Sequence, residues 1–225
     1  SPEHPVARGM AENPDTFFTH RESCNPYYDA VPAIVEDYMN KISEITGRKY
    51  GLFTYYGAED ADRVIIAMGS VTEAIRETID YLNAQGQKVG LVAVHLYRPF
   101  SVKHFLDAVP ATAKKIAVLD RTKEPGANGE PLYLDIKEAF YGKENAPVIV
   151  GGRYGLGSND TTPAQILAVY ENLALPEPKN HFTLGIVDDV TFTSLPQGEE
   201  IAVGGEGMFE AKFYGLGADG TVGAN

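Results

Sequence analysis

The sequence has a single cysteine, Cys24, and that scarcity excludes much at once. One thiol cannot build a disulfide framework, nor any metal centre or iron–sulfur cluster that several thiolates must hold. The five histidines are scattered, with no pair at metal-ligand spacing. Basic residues are also scarce. Nineteen Lys and Arg stand against 31 Asp and Glu, and the resulting net charge of −12 argues against nucleic acid or an anionic membrane as partner. The acidic surface is most simply a solubility feature. No apolar run approaches the roughly 20 residues needed to cross a bilayer. The chain opens on Ser-Pro, with no cationic-then-apolar leader, and reads as an excised fragment or a processed chain.

What is present is a globular composition, 44% hydrophobic and 22% charged, in 225 residues that suffice for one large domain with trailing pieces. The organising stretch runs from 64 to 100. Val64-Ile-Ile-Ala-Met68 is a short apolar run of the kind buried on both faces of a parallel sheet, and Gly69 breaks it. Val71, Ala74, Ile75, Ile79 and Leu82 then fall on one helix face, with Ser70 placed to cap, Glu73 three residues on, and Gly86 to stop the helix. A second apolar strand over 89–94 follows directly. Connections this short make a βαβ unit with parallel neighbouring strands.

The remainder falls into place around that unit. Residues 1–27, with Pro2, Pro5, Pro14 and Pro26, read as an extended arm. Within it His20, Arg21 and Glu22 can bind an anion or a substrate carboxylate, although surface charges beside a docking Phe17–Phe18 pair are the commoner arrangement. Cys24 is either a reactive thiol or, more commonly for a lone cysteine, a buried one. Apolar spacing predicts helices over 28–45, 101–109, 132–140 and 163–173, the last capped by Thr161 or Thr162 ahead of Pro163. Strands are expected over 116–119, 147–150 and 181–187, and the aromatic stretch 50–56 suits an edge strand or a connector. After 187 the periodicity is lost.

These alternations predict an α/β fold with an open, mostly parallel sheet and helices on both faces. Ligands of such sheets sit outside the carboxyl ends of the strands, where the strand order reverses. The residues so placed are Gly69-Ser70, 95–98, Asp120-Arg121 and the glycine-rich loop 151–158. There Arg153 can meet a phosphate or carboxylate, or serve a structural contact. A further motif lies near the end. Gly215-Leu-Gly217-Ala-Asp219-Gly220, after an expected strand over 212–214, fits Gly-x-Gly-x-x-Gly, and a helix opening at Thr221 would aim free N–H groups at a phosphate. The helix and the acidic residue expected roughly 20 positions later are not reached, so a tight turn without ligand is the commoner reading.

Several of these motifs resemble a known family. Residues 64–70, 89–96, Arg98-Pro-Phe100 and Ile116-Ala-Val-Leu-Asp120 resemble the C-terminal domain of transketolase-like thiamine enzymes, with His95 standing where that family's dehydrogenase branch has an acid. Thr19-His-Arg-Glu22, Asn25-Pro-Tyr-Tyr-Asp29, Gly151-Gly-Arg-Tyr-Gly155, Gly185-Ile-Val-Asp-Asp-Val190 and the ending Phe213-Tyr-Gly-Leu-Gly narrow it to the pyruvate:ferredoxin (flavodoxin) oxidoreductases. The resemblance implies a cytoplasmic parent that converts pyruvate and coenzyme A to acetyl-CoA and CO2 while reducing ferredoxin or flavodoxin. Thiamine diphosphate, Mg and iron–sulfur clusters belong to other parts of that parent, which is expected to be a homodimer. By the same resemblance, residues 28–195 form the transketolase C-terminal-like domain, and 196–225 are a linker and the start of a γ-type domain. Gly215, Gly217, Asp219, Gly220 and Thr221 then line the coenzyme A or interdomain cleft. The piece itself is expected to hold no cofactor, no metal and no catalytic residue, and to be inactive alone, its partners being the other domains of the parent. Two readings compete: a β-type subunit of a thiamine-dependent 2-oxoacid dehydrogenase, and a free-standing nucleotide-binding module using the glycine turn.

Overall fold

A computed structural model describes residues 2–4, 9, 11–204, 207, 209 and 211. Six strands form one sheet: β1 (Phe53–Gly57), β2 (Arg63–Met68), β3 (Val89–Val94), β4 (Lys115–Asp120), β5 (Val148–Tyr154) and β6 (Phe182–Leu184). Their order is β1-β3-β2-β4-β5-β6, with β1 antiparallel to β3 and every other pairing parallel. The helices are α1 (Pro14–Glu22), α2 (Asn25–Thr46), α3 (Val71–Ala84), α4 (Val102–Ala108), α5 (Pro131–Phe140) and α6 (Pro163–Ala174).

The strands read as unbroken apolar runs because both faces of the sheet are covered. Side chains alternate across a strand, so Ile65 and Ala67 enter one core with α3 and α6, while Val64 and Ile66 enter the other with α4 and α5. Leu91 and Ala93 of β3 go with the first pair, Val92 and Val94 with the second. Buried polar groups are matched between layers. The Tyr170 hydroxyl on α6 donates to the Gly90 carbonyl at 3.0 Å, and burial pushes that phenol up. Val35 and Met39 of α2 pack from outside against the second core.

The expected α/β architecture and the parallel β2–α3–β3 unit are present. Six local features differ from expectation. Residues 14–22 are helical rather than extended, with Pro14 in the first turn, where its missing N–H costs nothing. Phe17 and Phe18 do not dock this arm, since both are exposed, and Cys24 is exposed as well. Ser70 makes no capping bond, and the first turn of α3 is tied by the Thr72 hydroxyl donating to the Gly69 carbonyl at 2.8 Å. β5 runs on through Gly151-Gly-Arg-Tyr154, so only the end of the expected 151–158 loop is a turn. β6 is shorter than the periodicity suggests. The glycine motif, with its expected strand and helix, lies outside the described residues.

Candidate functional site

The carboxyl edge of the sheet is where this topology can hold a site. β2 leads through α3 to β3 on one side, after which the chain crosses back and adds β4 on β2's other side. The two connections leave the sheet in opposite directions, and a crevice opens between the ends of β2 and β4. A cavity of about 320 Å3 occupies it, bounded by Ser70, Val71, Arg121, Tyr154, Gly155 and Asp160. Glycine is required at 155 because its φ of +63° suits no other side chain well and because the Arg121 side chain lies against it. Arg121 donates from Nε to the Gly155 carbonyl at 3.0 Å, which closes the turn after β5 onto the loop after β4. Burial raises the Tyr154 phenol.

The chemistry on offer in this crevice is modest. Arg121 faces an acid of opposite sign, Asp160, across the same cavity, and Ser70 has no His or Lys among the described lining residues to take its proton. A nucleophile needs such a base within hydrogen-bond reach. Among the described lining residues, the Arg121 bond to Gly155 ties two loops together.

The other strand-end residues make contacts within the domain. Asp120, at the end of β4, accepts the backbone N–H groups of Leu132 at 2.9 Å and Tyr133 at 3.0 Å, closing the first turn of α5. Burial raises its carboxyl above the usual aspartate value, against the lowering effect of those two N–H groups. Arg98 pairs with Asp135 at 2.8 Å and donates to the Tyr97 hydroxyl at 3.0 Å, with its guanidinium 3.9 Å over the Tyr97 ring. The Tyr97 phenol is pushed up to about 12, chiefly by burial. The Arg98–Pro99 peptide is cis. His95 lies 3.0 Å from the Thr54 hydroxyl through Nε2, and burial followed by the nearby Arg76 lowers its imidazole below the ordinary histidine value.

Arg153 makes contacts within the domain. Its Nη2 donates to the His181 carbonyl at 2.6 Å and to the Thr193 hydroxyl at 3.2 Å, binding the segment after β6 to the sheet. That segment was not legible as structure, yet it is organised by Asp188. The Asp188 carboxylate accepts the N–H groups of Val190, Thr191 and Thr193 and the hydroxyls of Thr191 and Thr193. The hydroxyls and N–H groups of Thr191 and Thr193 hold it well below the ordinary carboxylate range. The available signal was an Asp followed at three and five residues by threonines, a local turn pattern.

A second cleft was also missed, because its parts come from four segments. About 770 Å3 is bounded by Arg48, Lys49, Tyr50, Tyr56, Arg76 and His95 along the edge strand β1. Arg76 sits 5.3 Å from the Tyr56 ring centroid and 4.0 Å from Glu73, so its charge is partly matched. Among the described residues no group of three or more His, Cys, Asp or Glu side chains is arranged to hold a metal, and no helix is long and apolar enough to cross a membrane.

Comparison with known proteins shows what this scaffold is similar to. Residues 61–166, which run from just before β2 into α6, match the family model of the pyruvate:ferredoxin oxidoreductase core domain II. The whole chain aligns at 60% identity with pyruvate-flavodoxin oxidoreductase of Enterobacter agglomerans, covering 100% of this chain and 19% of that one. The chain is thus similar over its whole length to one segment of the pyruvate:ferredoxin (flavodoxin) oxidoreductases. Pyruvate:ferredoxin oxidoreductase of Moorella thermoacetica is 55% identical over 225 residues, again 19% of its length. The chain spans about one fifth of the length of the curated relatives it matches. Among solved structures it is similar to a 2-oxoglutarate:ferredoxin oxidoreductase from Magnetococcus marinus, at 27% identity over 57% of this chain and 20% of that one, with a TM-score of 0.42.

Proposed function

We propose that the chain is a structural and interface domain of a thiamine diphosphate-dependent pyruvate:ferredoxin (flavodoxin) oxidoreductase. The parent reaction is pyruvate plus coenzyme A to acetyl-CoA and CO2, with reduction of ferredoxin or flavodoxin. The observation that carries this reading is alignment of every residue of the chain with such enzymes at 60% and 55% identity. The site geometry supports the structural half of it. Arg98, Asp120, Arg121 and Arg153 are each bound within the domain, and the crevice lacks a nucleophile with a base. Thiamine diphosphate, Mg and the iron–sulfur clusters then belong to other parts of the parent. The lone Cys24 is consistent with that for the clusters, which several cysteines ligate. The parent is a cytoplasmic homodimer in this reading. Residues 28–195 are its transketolase C-terminal-like domain, and 196–225 lead into a γ-type domain.

Within the same reading, Gly215, Gly217, Asp219, Gly220 and Thr221 contact coenzyme A. The support is the glycine spacing, which permits close backbone approach to a phosphate. Isothermal titration of coenzyme A into the chain at low salt, with Asp219→Ala alongside, tests it. Binding that the substitution weakens is the expected result. Absence of heat at millimolar coenzyme A would mean that the site needs more of the parent than this segment, and binding that Asp219→Ala leaves unchanged would remove Asp219 from the acyl-acceptor site.

A further inference from the structure

Helix α2 carries more apolar surface than the domain uses. Over its 22 residues not one is fully buried, an unusual state for a helix about 33 Å long. Two apolar faces run along it. One is occupied: Val35 and Met39 pack on the second core, and the Ser43 hydroxyl accepts the Tyr50 N–H at 3.0 Å, fastening the helix end to the approach of β1. The other is bare. Tyr27, Ile34, Tyr38, Ile42 and Ile45 are separated by 7, 4, 4 and 3 residues. At 3.6 residues per turn they form one straight stripe, about a quarter-turn round from Val35 and Met39. Their exposures are 79%, 53%, 61%, 47% and 83%. Helix α1 leads into the stripe's start and brings Phe17 and Phe18, also exposed. A continuous apolar surface of this kind marks an interaction site rather than scattered surface residues.

Resting on the reading of the chain as an oxidoreductase core domain, we infer that this stripe of α2, together with the phenylalanines of α1, is the face on which the domain docks against the rest of the parent polypeptide. The occupant is an apolar surface flanked by Lys and Arg. Two observations select it over a second copy of this chain. The stripe's own helix carries Asp29, Glu36, Asp37 and Glu44 against the single Lys41, which already pairs with Asp37 at 2.6 Å. Two copies would set these acids against each other, whereas a basic rim would complement them. The relatives also extend far beyond this segment, which accounts for 19% of their length, so an intramolecular partner is available. Such a partner is present at high effective concentration.

The test compares two polypeptides with one double substitution, Ile34→Glu with Ile42→Glu, and none of its readouts is turnover. In the 225-residue chain the substituted side chains already face water, so the thermal midpoint moves by less than about 2 °C. Sedimentation of the unsubstituted chain gives a monomer mass that does not vary with concentration. In the full-length parent, amide exchange over residues 25–46 is at least about 100-fold slower than in the chain alone, and the double substitution returns it to the chain's rate. Equal exchange in the two polypeptides overturns the inference. So does a midpoint loss above about 5 °C in the chain, which would make the stripe internal packing. Self-association that the substitution abolishes would give the face to a second copy. Failure of the coenzyme A titration touches none of these readouts.

Discussion

Phe105→Ala lowers the unfolding free energy by about 3–5 kcal/mol, the range for truncating a buried aromatic side chain in a core that cannot fully collapse. The ring is wholly buried between α4 and the sheet. Its centroid lies 5.7 Å from Phe53 on β1, 5.6 Å from Phe100 before α4, and 5.8 Å from Phe140 at the end of α5. Three elements of different sequence position thus share one side chain, and Phe53 and Phe100 meet each other at 5.4 Å. Edge-on aromatic pairs add about 0.5–1.5 kcal/mol each beyond burial, so the loss should fall in the upper half of the range. Urea titration reads it directly, as a lower midpoint with an unchanged slope. A loss below about 1 kcal/mol would show that the three rings close over the gap and that Phe105 is not the wedge.

The second large effect belongs to Asp120. Asp120→Ala removes the acceptor of two N–H groups at the buried start of α5, and leaving both unsatisfied costs about 2–4 kcal/mol. Asp120→Asn should cost less, since one amide oxygen can still accept. The pH dependence separates the variants further. Burial holds the folded carboxyl above the ordinary aspartate value, so ionisation costs stability. That stability is fully present below about pH 3.9, the unfolded value, and is lost as pH rises through the raised folded value. The asparagine variant has no such loss. Its deficit relative to wild type is therefore smaller at pH 7 than at pH 3.5. A deficit of Asn that grows with pH would contradict this account of the site.

The covered sheet was legible because burial on both faces writes a continuous apolar run, and 64–68 and 89–94 carry that signal plainly. Helix α3 was legible for a similar reason, its apolar residues repeating at three and four with Gly86 as a stop. The arm was misread because Pro14 and Pro26 look like breaks, although both sit in first turns where proline is tolerated. Strand β5 was cut short because Gly151 and Gly152 resemble a loop. In the fold their missing Cβ atoms make room for Tyr133 and Phe182, packing that no local pattern records. The ties made by Arg153 and Asp120, and the cleft along β1, depend on partners 12 to 40 residues distant or more. Asp188 is the opposite case, a purely local turn whose signal was present and weak.

The claim that this domain contributes structure rather than reacting groups is tested most directly at the switch-point crevice, in the full-length parent. Ser70→Ala with Arg121→Gln removes the crevice's hydroxyl and its cation while leaving the sheet untouched. Pyruvate-dependent reduction of flavodoxin or ferredoxin is then measured at saturating pyruvate and coenzyme A. The account predicts a kcat within about threefold of wild type. Loss of an acid, base or charge that acts on the reacting atoms costs roughly 100-fold or more. A fall of that size, in a variant whose thermal midpoint is unchanged, would put the chemistry inside this domain and contradict the account.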